Sequence, residues 1–225
     1  MKLFKYGITL ERLKETDIEL VRQWRNSDPV RLNMAYREMI TPEQQKVWFN
    51  SINNLKNNYM MIHYKGEKMG LLNDKNINWE ERTSESGIFL GKPEYYASFV
   101  PYLVSVAGIE SNFYFLDWNK QFAHILKSNQ NAIQFNLQLG YRLCPGQDNA
   151  DNQQYEITLA DFEQTAGRIR KAVNILANGV NKVRFLIEPS DFASGLAGKF
   201  ELLLQNHRHQ LKISDTPEGL WYEEV

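Results

Sequence analysis

Apolar and polar residues alternate from Ile8 through Leu10 toward Leu13, the two-residue period of a strand with one covered face. Directly after it, Thr16-Asp17-Ile18-Glu19 has capping-box spacing, and Ile18, Val21 and Trp24 recur at helical intervals until Asn26-Ser27-Asp28-Pro29 supplies the residues that stop a helix. Thr41-Pro42-Glu43-Gln44 repeats the start signal with proline at the first helical position, and Trp48, Ile52 and Leu55 follow on one face. Tyr59 to Tyr64 and Lys68 to Leu72 read as strands joined across Lys65-Gly66-Glu67, and Ser86 to Leu90 as a third strand closed by Gly91-Lys92-Pro93. Val100, Leu103, Val104 and Ala107 lie at i, i+3, i+4 and i+7, which predicts a helix after that strand. Gln121 to Leu126 reads as a strand, Gln130 to Leu139 as a helix with Gly140 at a left-handed exit, and Gln154 to Leu159 as a closing strand. Helices interleaved with strands predict an α/β or α+β class with a central mixed sheet.

The pattern changes after residue 160. Phe162, Ala166, Ile169, Val173 and Leu176 stripe one amphipathic helix, Val183 to Ile187 is a short apolar strand, and Ser190 is placed to cap a helix bearing Phe192, Leu196, Phe200 and Leu203. Asp215-Thr216-Pro217-Glu218-Gly219 then separates two strand-like runs. Residues 161–225 form a helix-strand-helix-hairpin extension to a domain at 1–160. So short a piece buries little alone, so it packs on the main domain or on a partner subunit.

Composition narrows the function classes. Twenty-six Lys and Arg against 27 Asp and Glu leave a formal charge of −1, so no global field draws nucleic acid or anionic lipid. The single cysteine, Cys144, rules out an internal disulfide and a cysteine-rich zinc site, and fits a reducing cytoplasm. The opening residues lack a signal-peptide core, and no run approaches the ~18 apolar residues of a membrane span. The four histidines show no metal-ligand spacing, and hydrolase-elbow, P-loop and zinc-peptidase strings are missing. The expectation is a cytoplasmic protein with neither nucleic acid, membrane nor metal as a partner.

Three strings carry a resemblance. Ile8 to Leu13 followed by Thr16 to Val21 and Trp24-Arg25-Asn26, the stretch Ser84 to Gly91, and Asn129 to Tyr141 resemble segments of the GNAT superfamily of acyl-CoA-dependent N-acyltransferases. Within it they look like the branch that acetylates ribosomal-protein N-termini and amino sugars. The resemblance spans residues 8 to about 160 and is most specific in the late helix, where an Asn opens and a Gly-aromatic pair closes it. It implies a mixed, mostly antiparallel sheet flanked by helices. It also implies that the fourth and fifth strands of the family splay apart around the thioester of acetyl-CoA or another acyl-CoA.

The same resemblance assigns residues. Glu85 stands where relatives keep a carboxylate that draws a proton from the acceptor amine; the plain alternative is an outward-facing strand residue. Phe89, Leu90 and Gly91 correspond to the backbone edge that pairs with pantetheine amides. Tyr96, Ala97, Ser98, Phe99 and Val100 correspond to the pyrophosphate loop, whose family glycines let amides at a helix N-terminus close on phosphate. Both glycines are replaced here, by Phe99 and Pro101, and the leading Arg or Gln by Tyr96. Pro101 has no N–H to give. Asn129 is a helix cap that in relatives also touches the cofactor, with Asn131 beside it. Asn136 replaces a tyrosine that protonates the leaving thiolate, and an amide has no titrating proton. Trp24, Arg25, Asn26 and Arg31 fall in the region that lines the acceptor pocket, the alternatives being core packing for Trp24 and solvated surface for the arginines.

Two functions are therefore expected. The first is transfer of an acyl group from acyl-CoA to a primary amine of a small molecule or a protein N-terminus. The second is a GNAT-fold protein that has lost this chemistry and serves as a binding or assembly module, with 161–225 as its working surface and a homodimer through that extension as one outcome.

Overall fold

The computed structural model describes residues 1–225, built on one sheet of eleven strands. A hairpin of β1 (Lys2–Lys5) and β2 (Ile8–Arg12) opens the chain, turning through Tyr6 and Gly7 at φ 55° and 74°. Both turn residues are left-handed, the geometry that matches strand twist in a two-residue hairpin. Helices α1 (Ile18–Asn26), α2 (Asp28–Arg31) and α3 (Pro42–Ile52) follow, then strands β3 (Asn58–Tyr64), β4 (Glu67–Asn78) and β5 (Thr83–Leu90). After α4 (Val100–Tyr114) come β6 (Lys120–Leu126), α5 (Gln130–Leu139), β7 (Arg142–Leu143) and β8 (Asn152–Ile157). The chain ends with α6 (Leu159–Thr165), α7 (Gly167–Leu176), β9 (Arg184–Ile187), α8 (Leu196–Asn206), β10 (Leu211–Thr216) and β11 (Gly219–Glu224).

The strands lie in the order β10-β11-β9-β1-β2-β3-β4-β5-β6-β8-β7, and the one parallel pair is β5 with β6. Strand alternation divides the side chains between two layers. Met60 and Ile62 enter the larger core with α4 to α8, whereas Met61 between them joins Leu13, Val21, Trp24 and Leu71 under α1 and α3. Strands β9 to β11 continue the sheet beyond β1, and Phe162, Val173, Phe200 and Tyr222 share the larger core with Leu103 and Ile109 of α4.

Several sequence expectations are corrected. Thr16 caps nothing: it lies inside a 3-10 turn, Asp17 precedes α1 without a capping bond, and the carboxylates turn elsewhere, Asp17 to Lys68 and Glu19 to Arg22. At Thr41 the reciprocal box with Gln44 does form. The expected helix from Phe162 to Leu176 is two helices, because Ala166, at φ −81° and ψ 4°, leaves the helical region between them. Ser190 lies in a 3-10 turn closed by Glu188 and Asp191, and left-handed Gly195 separates that turn from α8, leaving Phe192 exposed.

Candidate active site

Strands β5 and β6 run side by side for only three residue pairs, Thr83 with Lys120, Ser84 with Gln121 and Glu85 with Phe122. Beyond Glu85, β5 stays paired with β4 as far as Leu90, and β6 stays paired with β8 as far as Leu126. The two parallel neighbours therefore part, and a wedge opens between Ser86–Leu90 and Ala123–Leu126.

A buried polar network staples the point of parting. Asp74 of β4 accepts hydrogen bonds from Ser84 (3.1 Å), Gln121 (3.1 Å) and Asn112 of α4 (3.0 Å), while the Trp118 indole donates to Ser84 at 2.7 Å. One carboxyl thus joins β4, β5, β6 and α4. Burial pushes its pKa up despite the bonds it accepts. Tyr141, just past the left-handed Gly140, is buried beside Ser86 on the same side of the sheet.

Glu85 stands on the opposite face at the same place. Its Oε1 meets Lys75 Nζ at 2.7 Å and His124 Nδ1 at 3.0 Å, and its Oε2 accepts from Asn76 at 3.0 Å. Consecutive strand residues normally point to opposite faces. A register break in β4 after Lys75, with Asn76 at φ 53°, brings both side chains onto one carboxylate. Burial pushes the Glu85 pKa up, but the Lys75 bond and the Lys75 and His124 charges more than offset it, so the group lies below the usual glutamate value. His124 presents Nδ1 to the carboxylate, which leaves Nε2 on the far edge of the ring. Sequence reading missed His124. The available signal was its position on β6 two residues after Phe122, on the same face as Glu85.

The wedge edge is set by alternation. Gly91 N–H bonds Met69 O on the β4 side at 2.7 Å, while Leu90 O accepts the Tyr96 hydroxyl at 3.1 Å from the other side. The main-chain groups of Leu90, Ile88 and Ser86 therefore face the wedge, and those of Phe89 and Gly91 face β4. At the start of α4, Ser98 Oγ takes the Val100 N–H at 3.2 Å and Pro101 has none, leaving the N–H groups of Ala97, Phe99 and Tyr102 without a protein acceptor. The Phe99 ring is 53% exposed, turned to solvent. Tyr102 bridges to α5, its ring 4.7 Å from Phe135 and its hydroxyl 2.5 Å from Gln138. Asn129 caps α5 through Ala132 N at 3.1 Å, Asn131 is exposed on the first turn, and Asn136 returns its amide to Ala132 O at 2.8 Å.

The four acceptor-side residues separate. Trp24 is buried, and a Cβ on Gly91 would stand 2.2 Å from its ring. Asn26 donates to Ile40 O (2.9 Å) and accepts from Ile40 N (2.8 Å), and Arg31 binds Arg37 O (2.9 Å) and Asp28 (2.7 Å), so both pin the α2–α3 loop. The Nε of Arg25 is buried without a hydrogen-bond partner, as is the Nε of Arg31. A cavity of about 330 Å³ lies elsewhere, over the β1–β2 and β3–β4 turns among Lys2, Glu11, His63 and Lys65. It is distant from the wedge in strand order and holds no residue of the parting strands.

No protein-family model and no curated protein sequence matches the chain. Solved structures do. A spermidine N-acetyltransferase from Vibrio cholerae, solved with CoA and spermine, superposes with a TM-score of 0.60 at 15% identity, over 70% of this chain and 98% of that one. The aminoglycoside acetyltransferase AAC(6')-Ib, solved with coenzyme A, gives 0.60 at 16% identity over 70% and 98%. A domain from Methanocaldococcus jannaschii gives 0.59 at 20% identity over 68% and 98%. The architecture is the GNAT fold. At these identities the GNAT likeness is one of fold, and it places the chain in no single branch. No helix of the chain is long and apolar enough to cross a membrane, and no group of three or more His, Cys, Asp or Glu side chains is placed to hold a metal ion.

Proposed function

We propose that the chain is a GNAT-like N-acyltransferase, moving an acyl group from an acyl-CoA to a primary amine of a small molecule. The observation that carries this reading is the parting of β5 from β6 with the Glu85–His124 pair at its apex. Residues 1–160 hold the chemistry in this reading and 161–225 extend the sheet.

The residues present fit an acyl-CoA. The wedge-facing backbone of Ser86, Ile88 and Leu90 offers donors and acceptors to an extended amide-bearing arm, once the Tyr96 hydroxyl releases Leu90 O. The free N–H groups of Ala97, Phe99 and Tyr102 at the positive end of α4 suit an anion. The co-substrate would supply the activated carbonyl. The chain's own task is the proton: an ammonium has no lone pair, so it must be deprotonated before it attacks. His124 Nε2 takes that proton, and ionised Glu85, held by Lys75 and Asn76, fixes the ring and stabilises the imidazolium. Asn136, bonded to its own helix, takes no part in proton transfer.

The test is a melting curve with millimolar acetyl-CoA. At a hundredfold excess over the dissociation constant the native state gains about 2.7 kcal/mol. That raises Tm by roughly 5–10 °C for a chain of this size. A flat response to both CoA and acetyl-CoA removes the enzyme reading. The second reading, an assembly module working as a homodimer, is favoured by Ile175, Leu176, Val180 and Leu202, all at least half exposed on the C-terminal segment. Light scattering that gives a monomer mass counts against it.

A further inference from the structure

Asp74, which staples the point where β5 and β6 part, also lines a cavity of about 40 Å³ between the sheet and α4. Much of its wall is apolar, with Leu10 and Leu72 from the sheet and Phe185, Phe200 and Leu204 from the C-terminal segment. Its polar lining is Lys2, Asn58 and Asp74 from the strands and Ser111 and Asn112 from α4. The Lys2 ammonium is held by Glu188 at 3.2 Å and Glu11 at 3.6 Å. Asn112 already donates to Asp74.

The other two polar residues are unmatched. Asn58 is 7% exposed and Ser111 1%, and Asn58 Oδ1 and Ser111 Oγ are both buried with no hydrogen-bond partner in the protein. Gln121 Oε1 and Asn181 Oδ1 share that condition, but neither residue lines this cavity. Asn58 and Asp74 are register partners across β3 and β4, which sets their Cβ atoms about 5 Å apart on one face. An amide oxygen and a carboxylate both accept, so they cannot bond each other, and what joins them is a small donor with two protons. The Ser111 hydroxyl can give to such a molecule and take from it. A cavity of this volume admits about three waters at roughly 10–15 Å³ apiece, and a water there finds the two to four polar partners it needs.

We propose that this cavity is a hydration site, in which ordered waters bridge Asn58 and Ser111 to Asp74. The waters bring β3 into a staple that otherwise joins β4, β5, β6 and α4. They also give residues 161–225 a task within the chain, because Phe185, Phe200 and Leu204 form the apolar wall over this polar interior. The site stands apart from the acyl-transfer reading: neither the wedge-facing edge of β5 nor the Glu85–His124 pair lines it.

A high-resolution crystal structure of the full chain reads the site directly. Ordered water within hydrogen-bond distance of Asn58, Ser111 and the Asp74 carboxyl is expected, and in Ser111→Ala the water at the lost hydroxyl should go while that at Asp74 stays. Three results overturn the proposal: no ordered water in the cavity, an Asn58 amide bonded straight to Asp74 with Ser111 turned back to its own helix, or anomalous signal at the site after the buffer cation is exchanged for rubidium, which identifies a monovalent cation instead. Melting curves test the same point in solution, because the two cases differ in sign. If the groups are bridged by water, Ser111→Ala and Asn58→Leu each strip hydrogen bonds from the cluster, and Tm falls by roughly 2–4 °C. If they are unmet, removing them relieves a cost. A Tm that holds or rises in both variants therefore rejects the hydration site. Should Asn58→Leu fail to fold, Ser111→Ala and the wild-type structure decide.

Discussion

Replacing Glu85 with Gln removes one charge and almost no volume, and the structure lets the consequences for stability and activity be separated. Lys75 and His124 are 39% and 34% exposed, so each reaches water when the carboxylate is gone. The cost to folding is then that of a partly screened ion pair and one or two charged hydrogen bonds, about 1 kcal/mol. For a chain of this length that is roughly 2–4 °C in Tm. The stability difference has a definite pH sign. Glu85 titrates below its ordinary value of 4.5 in the folded chain, so its contribution is complete above that pH and is lost as pH falls through the folded value. Wild type and variant should therefore converge in acid. Activity should respond far more strongly, because the His124 ring loses the group that fixes its tautomer and supports its charge. A fall of about 10²- to 10⁴-fold in kcat, roughly 3–5 kcal/mol, is expected in a thiol-release assay. Unchanged turnover in a folded Glu85→Gln would refute the assignment. So would a Tm drop above ~10 °C matched by proportionate loss of activity, which would make Glu85 a structural residue alone.

Two further expectations concern the scaffold beneath the wedge. Asp74→Ala leaves Ser84, Gln121 and Asn112 donating to nothing in the interior, at about 1–3 kcal/mol for each orphaned group. Thermal melting should fall by at least ~6 °C, and a loss under ~2 °C would show that the network does not hold the strands together. Gly91→Ala drives a methyl into the Trp24 ring, where its Cβ would lie 2.2 Å from ring carbons. Such overpacking costs about 1–3 kcal/mol, and the smaller ring of an added Trp24→Phe should recover part of the lost Tm; a variant as stable as wild type would place Trp24 elsewhere.

Much of this protein was legible in one dimension. Alternation fixed β2, β3, β5 and β6 to within a few residues, since a half-covered sheet repeats every two positions. The 3.6-residue stripe, with Asn129 before it and Gly140 after it, fixed α5, because capping chemistry is local. Glu85, Arg25 and the α4 entry became candidates through the resemblance to the GNAT superfamily, which assigns roles to positions along those elements.

What the tertiary structure decided is who meets whom. Hydropathy says nothing about where β5 leaves β6, because strand separation depends on partners 40 residues away and on the Asp74 staple that ends their pairing. His124 became a candidate base only when the sheet set it 3.0 Å from Glu85. Asn26 and Arg31 turned out to hold the loop between α2 and α3 by hydrogen bonds to Ile40 and Arg37, which no pattern along the chain announces. Periodicity is a property of neighbours along the chain, whereas charge pairing and a gap between strands are properties of neighbours in space. Only the folded chain fixes the second kind.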